Sequence, residues 1–163
     1  MASAELNSIA RAMVARKKGI LAADESTGTM TSRLDSIGVE STVETRRQWR
    51  QLLFTTPDIG DYISGVIMYD ETIRQSDDSG VGLVDVLAAS NVLTGIKVDN
   101  STHDLAGAPG ENITEGLDGL RPRLAEYFLM GARFAKWRAL IKIGEGSIVG
   151  GGQEAQIGDQ LSI

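Results

Sequence analysis

The sequence predicts an α/β fold built around a parallel sheet. Three observations carry this. Four short apolar runs recur along the chain, at residues 19–23, 65–69, 93–98 and 132–143, and each ends in or carries ionisable residues. Between the runs lie stretches whose apolar residues recur at helical spacing. The resulting order of strand, polar loop, helix and strand is the order that builds parallel βαβ units.

Taken in order, Leu6, Ile9, Ala10, Met13 and Val14 fall at i, i+3, i+4, i+7 and i+8. They predict an amphipathic helix with Ser3 as its cap. Arg16, Lys17 and Lys18 suit its C-terminal end, and Gly19 stops it. Gly19-Ile20-Leu21-Ala22-Ala23 predicts a buried strand ending in the polar loop Asp24-Glu25-Ser26-Thr27-Gly28. Residues 44–54 predict a second helix with Trp49, Leu52 and Leu53 on its buried side, broken by Pro57-Asp58. The run at 65–69 is a second strand ending in Asp70-Glu71. Residues 81–90 predict a helix that buries Leu83, Val84 and Leu87. The run at 93–98 is a third strand, ending in Asp99-Asn100-Ser101. Residues 103–114 hold Gly and Pro and little periodicity, which predicts a loop. Pro122 suits a first helical turn; Leu120, Leu124, Tyr127 and Phe128 form that helix's expected buried stripe, and Gly131 ends it. Residues 132–143 are the fourth expected strand. Beyond 145 the chain is Gly-rich, with Gly150-Gly151-Gly152 and no Lys or Arg, so residues 146–163 are expected to be a disordered tail.

Composition removes several function classes. Sixteen Lys and Arg against 22 Asp and Glu leave a net charge of -6, which argues against a nucleic-acid binder. No cysteine is present, so a disulfide scaffold, a thiolate nucleophile and a cysteine metal site are excluded. The single histidine, His103, excludes a multi-histidine metal centre and reads as a surface residue. No apolar run approaches the roughly 18 residues of a membrane span. The first residues lack the basic start and apolar core of a secretory signal, so a cytoplasmic protein is expected.

The chemistry concentrates at strand ends, where α/β folds place their active sites. Asp24 closes the first strand. Lys97 interrupts the apolar third. Lys136 and Arg138 lie two apart in the fourth and so should share one face of it. A parallel strand is apolar on both faces as a rule, and buried charge is costly without a partner. Three cations and one anion at one mouth suit an anionic substrate, most simply a phosphate ester. The alternative is a set of solvated strand ends paired with nearby carboxylates. Asp24-Glu25-Ser26-Thr27-Gly28-Thr29 is either a phosphate-binding helix start or a plain helix cap, and it lacks the Gly-x4-Gly-Lys pattern of a nucleotide loop. Asp70-Glu71 reads as a solvated strand end sooner than as a metal-ligand pair.

Several stretches carry a resemblance: Gly-Ile-Leu-Ala-Ala-Asp-Glu-Ser-Thr-Gly (Gly19 to Gly28), Gly-Ile-Lys-Val-Asp (Gly95 to Asp99), Gly-Leu-Asp-Gly-Leu (Gly116 to Leu120) and Phe-Ala-Lys-Trp-Arg (Phe134 to Arg138). Residues 33–38 and 46–53 add to it. Over roughly residues 3–145 the chain resembles class I fructose-bisphosphate aldolase, the Schiff-base type. The resemblance implies a (β/α) TIM barrel, of which residues 1–145 supply about the first four βα units. It implies reversible cleavage of fructose 1,6-bisphosphate to dihydroxyacetone phosphate and glyceraldehyde 3-phosphate in glycolysis. No cofactor or metal is implied, and the partners are a phosphorylated sugar substrate and, in the family, the other subunits of a homotetramer.

By the same resemblance Asp24 orients the sugar and assists carbon–carbon cleavage, Lys136 assists proton transfer around Schiff-base formation, and Arg138 supports the sugar hydroxyls. Lys97, Ser26, Thr29 and Arg33 bind phosphate. Thr29 stands where serine is commoner and keeps the hydroxyl. The family's Schiff-base lysine lies on its sixth strand, so this chain alone is expected to be inactive. Two readings stand beside that one: a non-catalytic fragment that binds phosphate weakly or associates with full-length subunits, and a phosphosugar-binding (β/α) enzyme with another reaction, which the motif set disfavours. The chain by itself is expected to be self-associated or partly unfolded.

Overall fold

The computed structural model describes residues 2–140. In chain order its elements are α1 (Ala2–Met13), β1 (Gly19–Ala23), α2 (Thr27–Asp35), α3 (Val43–Phe54), α4 (Ile59–Tyr62), β2 (Ile63–Met68), α5 (Asp70–Ile73), α6 (Leu83–Ala89), β3 (Leu93–Lys97), β4 (Thr102–Asp104), β5 (Asn112–Thr114), α7 (Leu120–Leu129) and β6 (Phe134–Lys136). Two compact units divide the chain. Among the described residues, one unit runs to Lys97 and adds Arg121–Lys136; the other is Val98–Leu120 with residues 137–140. The expected tail at 146–163 lies outside the described residues, as do residues 141–143 of the expected fourth strand.

The first unit holds a four-stranded parallel sheet in the order β1-β2-β3-β6. Its register sets the two faces. Ala22, Ile67, Gly95 and Phe134 form one row across the sheet, and Ala23, Met68, Ile96 and Ala135 form the next. Successive rows point to opposite faces. Ala23, Val66, Met68 and Ile96 are buried on the face that the helices cover, with Met30, Phe54, Leu83 and Leu87, while Ala135 at the β6 end of that face is exposed. Ser64 shares that face, and its hydroxyl donates to the Met13 carbonyl at the end of α1 at 2.6 Å. The other face is open. Ile20 is 39% exposed there and Ala22 is exposed.

On the open face, the row of Ala22 and Phe134 includes Gly95 for a steric reason. A Cβ on Gly95 would stand 2.2 Å from Phe134 Cε2, and one on Gly65 would stand 3.1 Å from Phe134 Cε1. The ring therefore lies flat over both glycines. Gly131 has φ +106° and closes α7, as its position after the helical stripe predicts.

The four strands fall where the apolar runs place them, with corrections. Among the described residues of the fourth run, the strand is only Phe134–Lys136, leaving 132–133 and 137–140 outside it. The strand β1 is an edge of the sheet with its open face uncovered, so only Ala23 of its five residues is buried. Ser3 lies inside α1 and so is not its cap, and Leu6 and Val14 are exposed. The helix expected at 44–54 is present, but its buried positions are Arg46, Arg50 and Phe54, while Leu52 is 67% exposed. In α7 only Tyr127 of the expected stripe is buried; Leu124 and Phe128 are exposed.

Helices α2, α4 and α5 fall in stretches without a legible apolar period. In the second unit, residues 103–114 are not a plain loop. β4 and β5 pair antiparallel there, Thr102 opposite Thr114 and Asp104 opposite Asn112. Each strand has three mostly polar residues, which leave no alternation to read.

Candidate functional site at the strand ends

Asp24 follows the last residue of β1, and Lys136 is the last of β6. These are the two edge strands of the sheet. Strands stand about 4.8 Å apart, so a flat sheet would separate the edges by about 14 Å. An extended lysine, an aspartate and one hydrogen bond together span roughly 11 Å. Yet Lys136 Nζ donates to Asp24 Oδ2 at 2.7 Å. The sheet is therefore twisted and bent toward the face bearing these side chains. Asp24 is nearly buried, with 11% of its side chain exposed, against 31% for Lys136. Low exposure strengthens a charged pair of this kind.

Lys97 ends β3 directly opposite Lys136 in the parallel register. Register partners share a face, so both cations lie above Gly95 and the Phe134 ring on the open side of the sheet. Three of the four ionisable strand-end residues expected together, Asp24, Lys136 and Lys97, thus form one row.

The loop after β1 behaves first as a helix cap. Ser26 is the N-cap of α2, its Oγ accepting from the Thr29 N–H at 3.4 Å and lying 3.2 Å from Thr29 Oγ1. Both hydroxyls sit at the helix's N-terminal end, where unpaired N–H groups face outward. Arg33, on the same helix, is ion-paired to Glu25 and has 56% of its side chain exposed.

Arg138 does not share a strand face with Lys136, because β6 stops at Lys136. In the second unit its backbone N–H donates to Asp99 Oδ2 at 3.3 Å, and the residue is exposed. His103 is an exposed residue 3.7 Å from Glu115, as a surface histidine would be. Asp70, with 48% of its side chain exposed, is a solvated strand end as expected, whereas Glu71 is drawn inward to an arginine. Glu71 accepts two hydrogen bonds from Arg46, at 2.8 and 2.7 Å, and Asp70 pairs with Arg74 at 2.8 Å. Among the described residues no three His, Cys, Asp or Glu converge as metal ligands.

Two arginines beneath the site escape a reading of the sequence. Arg46 is held in its charged form chiefly by the hydrogen bonds to Glu71. Arg50 is 2% exposed; burial pushes its pKa down, while Glu25 and Asp24 oppose that shift. Both occupy helix positions that a polar residue would normally turn to water. The available signal is their spacing: Arg46, Arg50 and Phe54 fall at i, i+4 and i+8, one stripe of α3.

Fold and site together define a parallel α/β protein whose ionisable residues gather at strand ends. Residues 5–153 match the family model for fructose-bisphosphate aldolase class-I. The chain is 55% identical over 145 residues to a probable fructose-bisphosphate aldolase class 1 of Xylella fastidiosa, covering 89% of this chain and 43% of that protein. It is 58% identical over 127 residues to the cytoplasmic isozyme of Cicer arietinum, covering 78% of this chain and 35% of that one. Among solved structures, fructose-bisphosphate aldolase from Plasmodium falciparum, crystallised with TRAP and a small-molecule inhibitor, superposes with a TM-score of 0.87 at 43% identity. That match covers 90% of this chain and 44% of the other. The chain belongs to the class I fructose-bisphosphate aldolase family. It spans less than half the length of these relatives.

Proposed function

We propose that residues 1–145 supply the first four βα units of an aldolase barrel and, with them, part of a site for reversible cleavage of fructose 1,6-bisphosphate to two triose phosphates. The observation that carries this reading is the Asp24–Lys136 pair at 2.7 Å, with Lys97 in register beside it. The bend that closes two edge strands onto one ion pair also supports a barrel wall.

In this reading Lys136 Nζ, already donating to Asp24, passes a proton to or from a substrate oxygen. Asp24 keeps the ammonium oriented and accepts from a sugar hydroxyl with its other oxygen. Lys97 offers a point charge to a phosphate, and Ser26 and Thr29 add hydroxyls at the start of α2. Arg33 joins them when a phosphate competes with Glu25 for its guanidinium. Arg138 enters through the resemblance alone. No cofactor or metal has a part. The cytosolic setting follows the cytoplasmic isozyme of Cicer arietinum and two cytosolic isozymes of Arabidopsis thaliana.

The test is a chimera in which residues 1–140 replace the matching part of the Xylella fastidiosa relative. Cleavage of fructose 1,6-bisphosphate is expected, and Asp24→Asn or Lys136→Met should lower kcat by roughly 10²–10⁴-fold. A folded chimera whose kcat ignores both substitutions would end the proposal.

A second reading has an observation of its own: among the described residues β1 and β6 are each paired on one side only. A non-catalytic fragment could use those edges to join full-length subunits or its own copies. Co-migration with the full-length relative, without turnover, would favour it.

A further inference from the structure

The strongest unassigned cluster is Arg50 with Glu25. We infer that Arg50 is a positioning residue: through Glu25 it fixes the chain next to Asp24 and so holds Asp24 against Lys136. This rests on the site proposed above and adds the device that aims its carboxylate.

The geometry is specific. Arg50 Nη1 stands 2.7 Å from Glu25 Oε2, and Nη2 donates to the Glu25 backbone carbonyl at 3.1 Å. The contact with Oε2 is an ion pair without a hydrogen bond, so it is Nη2 that holds the main chain of the residue that follows Asp24 while Nη1 sets the charge beside its carboxylate. Nη1 also donates to Met30 Sδ at 3.1 Å, which ties the same group to α2. Arg50 itself cannot swing, because it is buried in α3 beside Phe54.

The need for such a clamp follows from where Asp24 sits. It lies just past the end of an edge strand, with no ladder on its outer side. A loop there is free to rotate unless something fixes its peptide. Lysine could supply the charge of Arg50 but not a planar group that sets one nitrogen beside the carboxylate and the other on the carbonyl. Glu25 also pairs with Arg33, so one carboxylate links the buried clamp to the exposed arginine of the phosphate-binding proposal.

Competitive amine labelling of the folded chimera of residues 1–140 with the Xylella fastidiosa relative, read by mass spectrometry lysine by lysine, tests this. Lys136 should label about tenfold more slowly than exposed Lys17. Asp24→Asn should abolish that protection; wild-type Lys136 labelling as fast as Lys17 would instead show that the ion pair itself, and with it the proposed site, is wrong.

Given a protected Lys136, Arg50→Met and Glu25→Gln should each raise its labelling about fivefold or more. Arg50→Lys should fall between them and wild type. Lys18, which donates to the Gly60 carbonyl at the other end of β1, should keep its wild-type rate. Loss of protection at Lys18 as well would mean general loosening and would overturn the positioning role. So would wild-type labelling of Lys136 in either variant. Glu25→Gln preserves volume and leaves the buried arginine its carbonyl, so it decides the matter should Arg50→Met fail to fold.

Discussion

At the scale of single residues, the chain uses its cations in two opposite ways. Lys97 and Lys136 stand on the open face of the sheet, whereas Arg46 and Arg50 are buried under it with carboxylate partners. Removing one member of a buried pair leaves the other charge without compensation. Arg46→Met should therefore destabilise the fold by roughly 2–3 kcal/mol in urea or thermal unfolding, since its two hydrogen bonds to Glu71 are charge-assisted. Loss below about 0.5 kcal/mol would show that the pair merely offsets its own desolvation. A different outcome is expected of the lysines on the open face. Dihydroxyacetone phosphate and borohydride should leave the 163-residue chain unlabelled, because Lys136 is engaged by Asp24 at 2.7 Å and not aimed at a carbonyl. Stoichiometric labelling at Lys97 or Lys136 would make that lysine a nucleophile. The open-face set was legible because a charge at the end of an apolar run is conspicuous. The buried arginines were not, because spacing alone cannot say whether a polar residue on a helix faces water or a carboxylate from another element.

At the scale of elements, strands were read better than helices, and the sheet shows why. The four apolar runs survive as strands because β2 and β3 are central and helices cover one sheet face. The amphipathic stripes of α1 and α7 mislead where their apolar residues have no cover, as at Leu6, Val14 and Phe128. The hairpin of β4 and β5 was missed because backbone pairing, not side-chain burial, defines three polar residues as a strand. The contact of β3 with β6 yields a sharp expectation. Gly95→Ala drives a methyl into the Phe134 ring and should cost about 1–3 kcal/mol. Phe134→Leu should recover part of that loss in the double variant, and strict additivity would show that the two do not meet. The helix termini set a pH dependence. Asp70 is held below its usual range chiefly by the Arg74 hydrogen bond, and Glu44 by that of Arg47. A carboxylate with a depressed folded pKa contributes stability above its unfolded pKa, near 4, and loses it as pH falls through the folded value. The thermal midpoint should be flat from about pH 7 to 5 and drop below about pH 4, with a shallower drop in Asp70→Asn.

At the scale of the whole chain, the sheet of the first unit poses a physical problem. β1 and β6 are both edges among the described residues, and the face carrying Ile20, Ala22 and Phe134 is open. Exposed edges present unpaired N–H and C=O groups that template pairing with another chain. Exposed apolar patches beyond a few hundred Å² drive association as well. The ion pair at 2.7 Å between Asp24 and Lys136 closes the strand ends toward each other but covers neither edge. A net charge of -6 favours solubility without satisfying a backbone donor. The 163-residue chain purified by itself should therefore self-associate or be partly unfolded, and edge-to-edge pairing of two copies is the simplest remedy. Sedimentation velocity over a hundredfold range of concentration should show a weight-average mass that rises with concentration, or a monomer with a broad, non-cooperative melt. Lysine substitutions on the outer edge of β1, at Ile20 and Ala22, should shift that association to higher concentration. A monodisperse monomer with one cooperative transition would mean that the helix-covered face buries enough apolar surface to hold four strands without a partner, and that the open edges are tolerated.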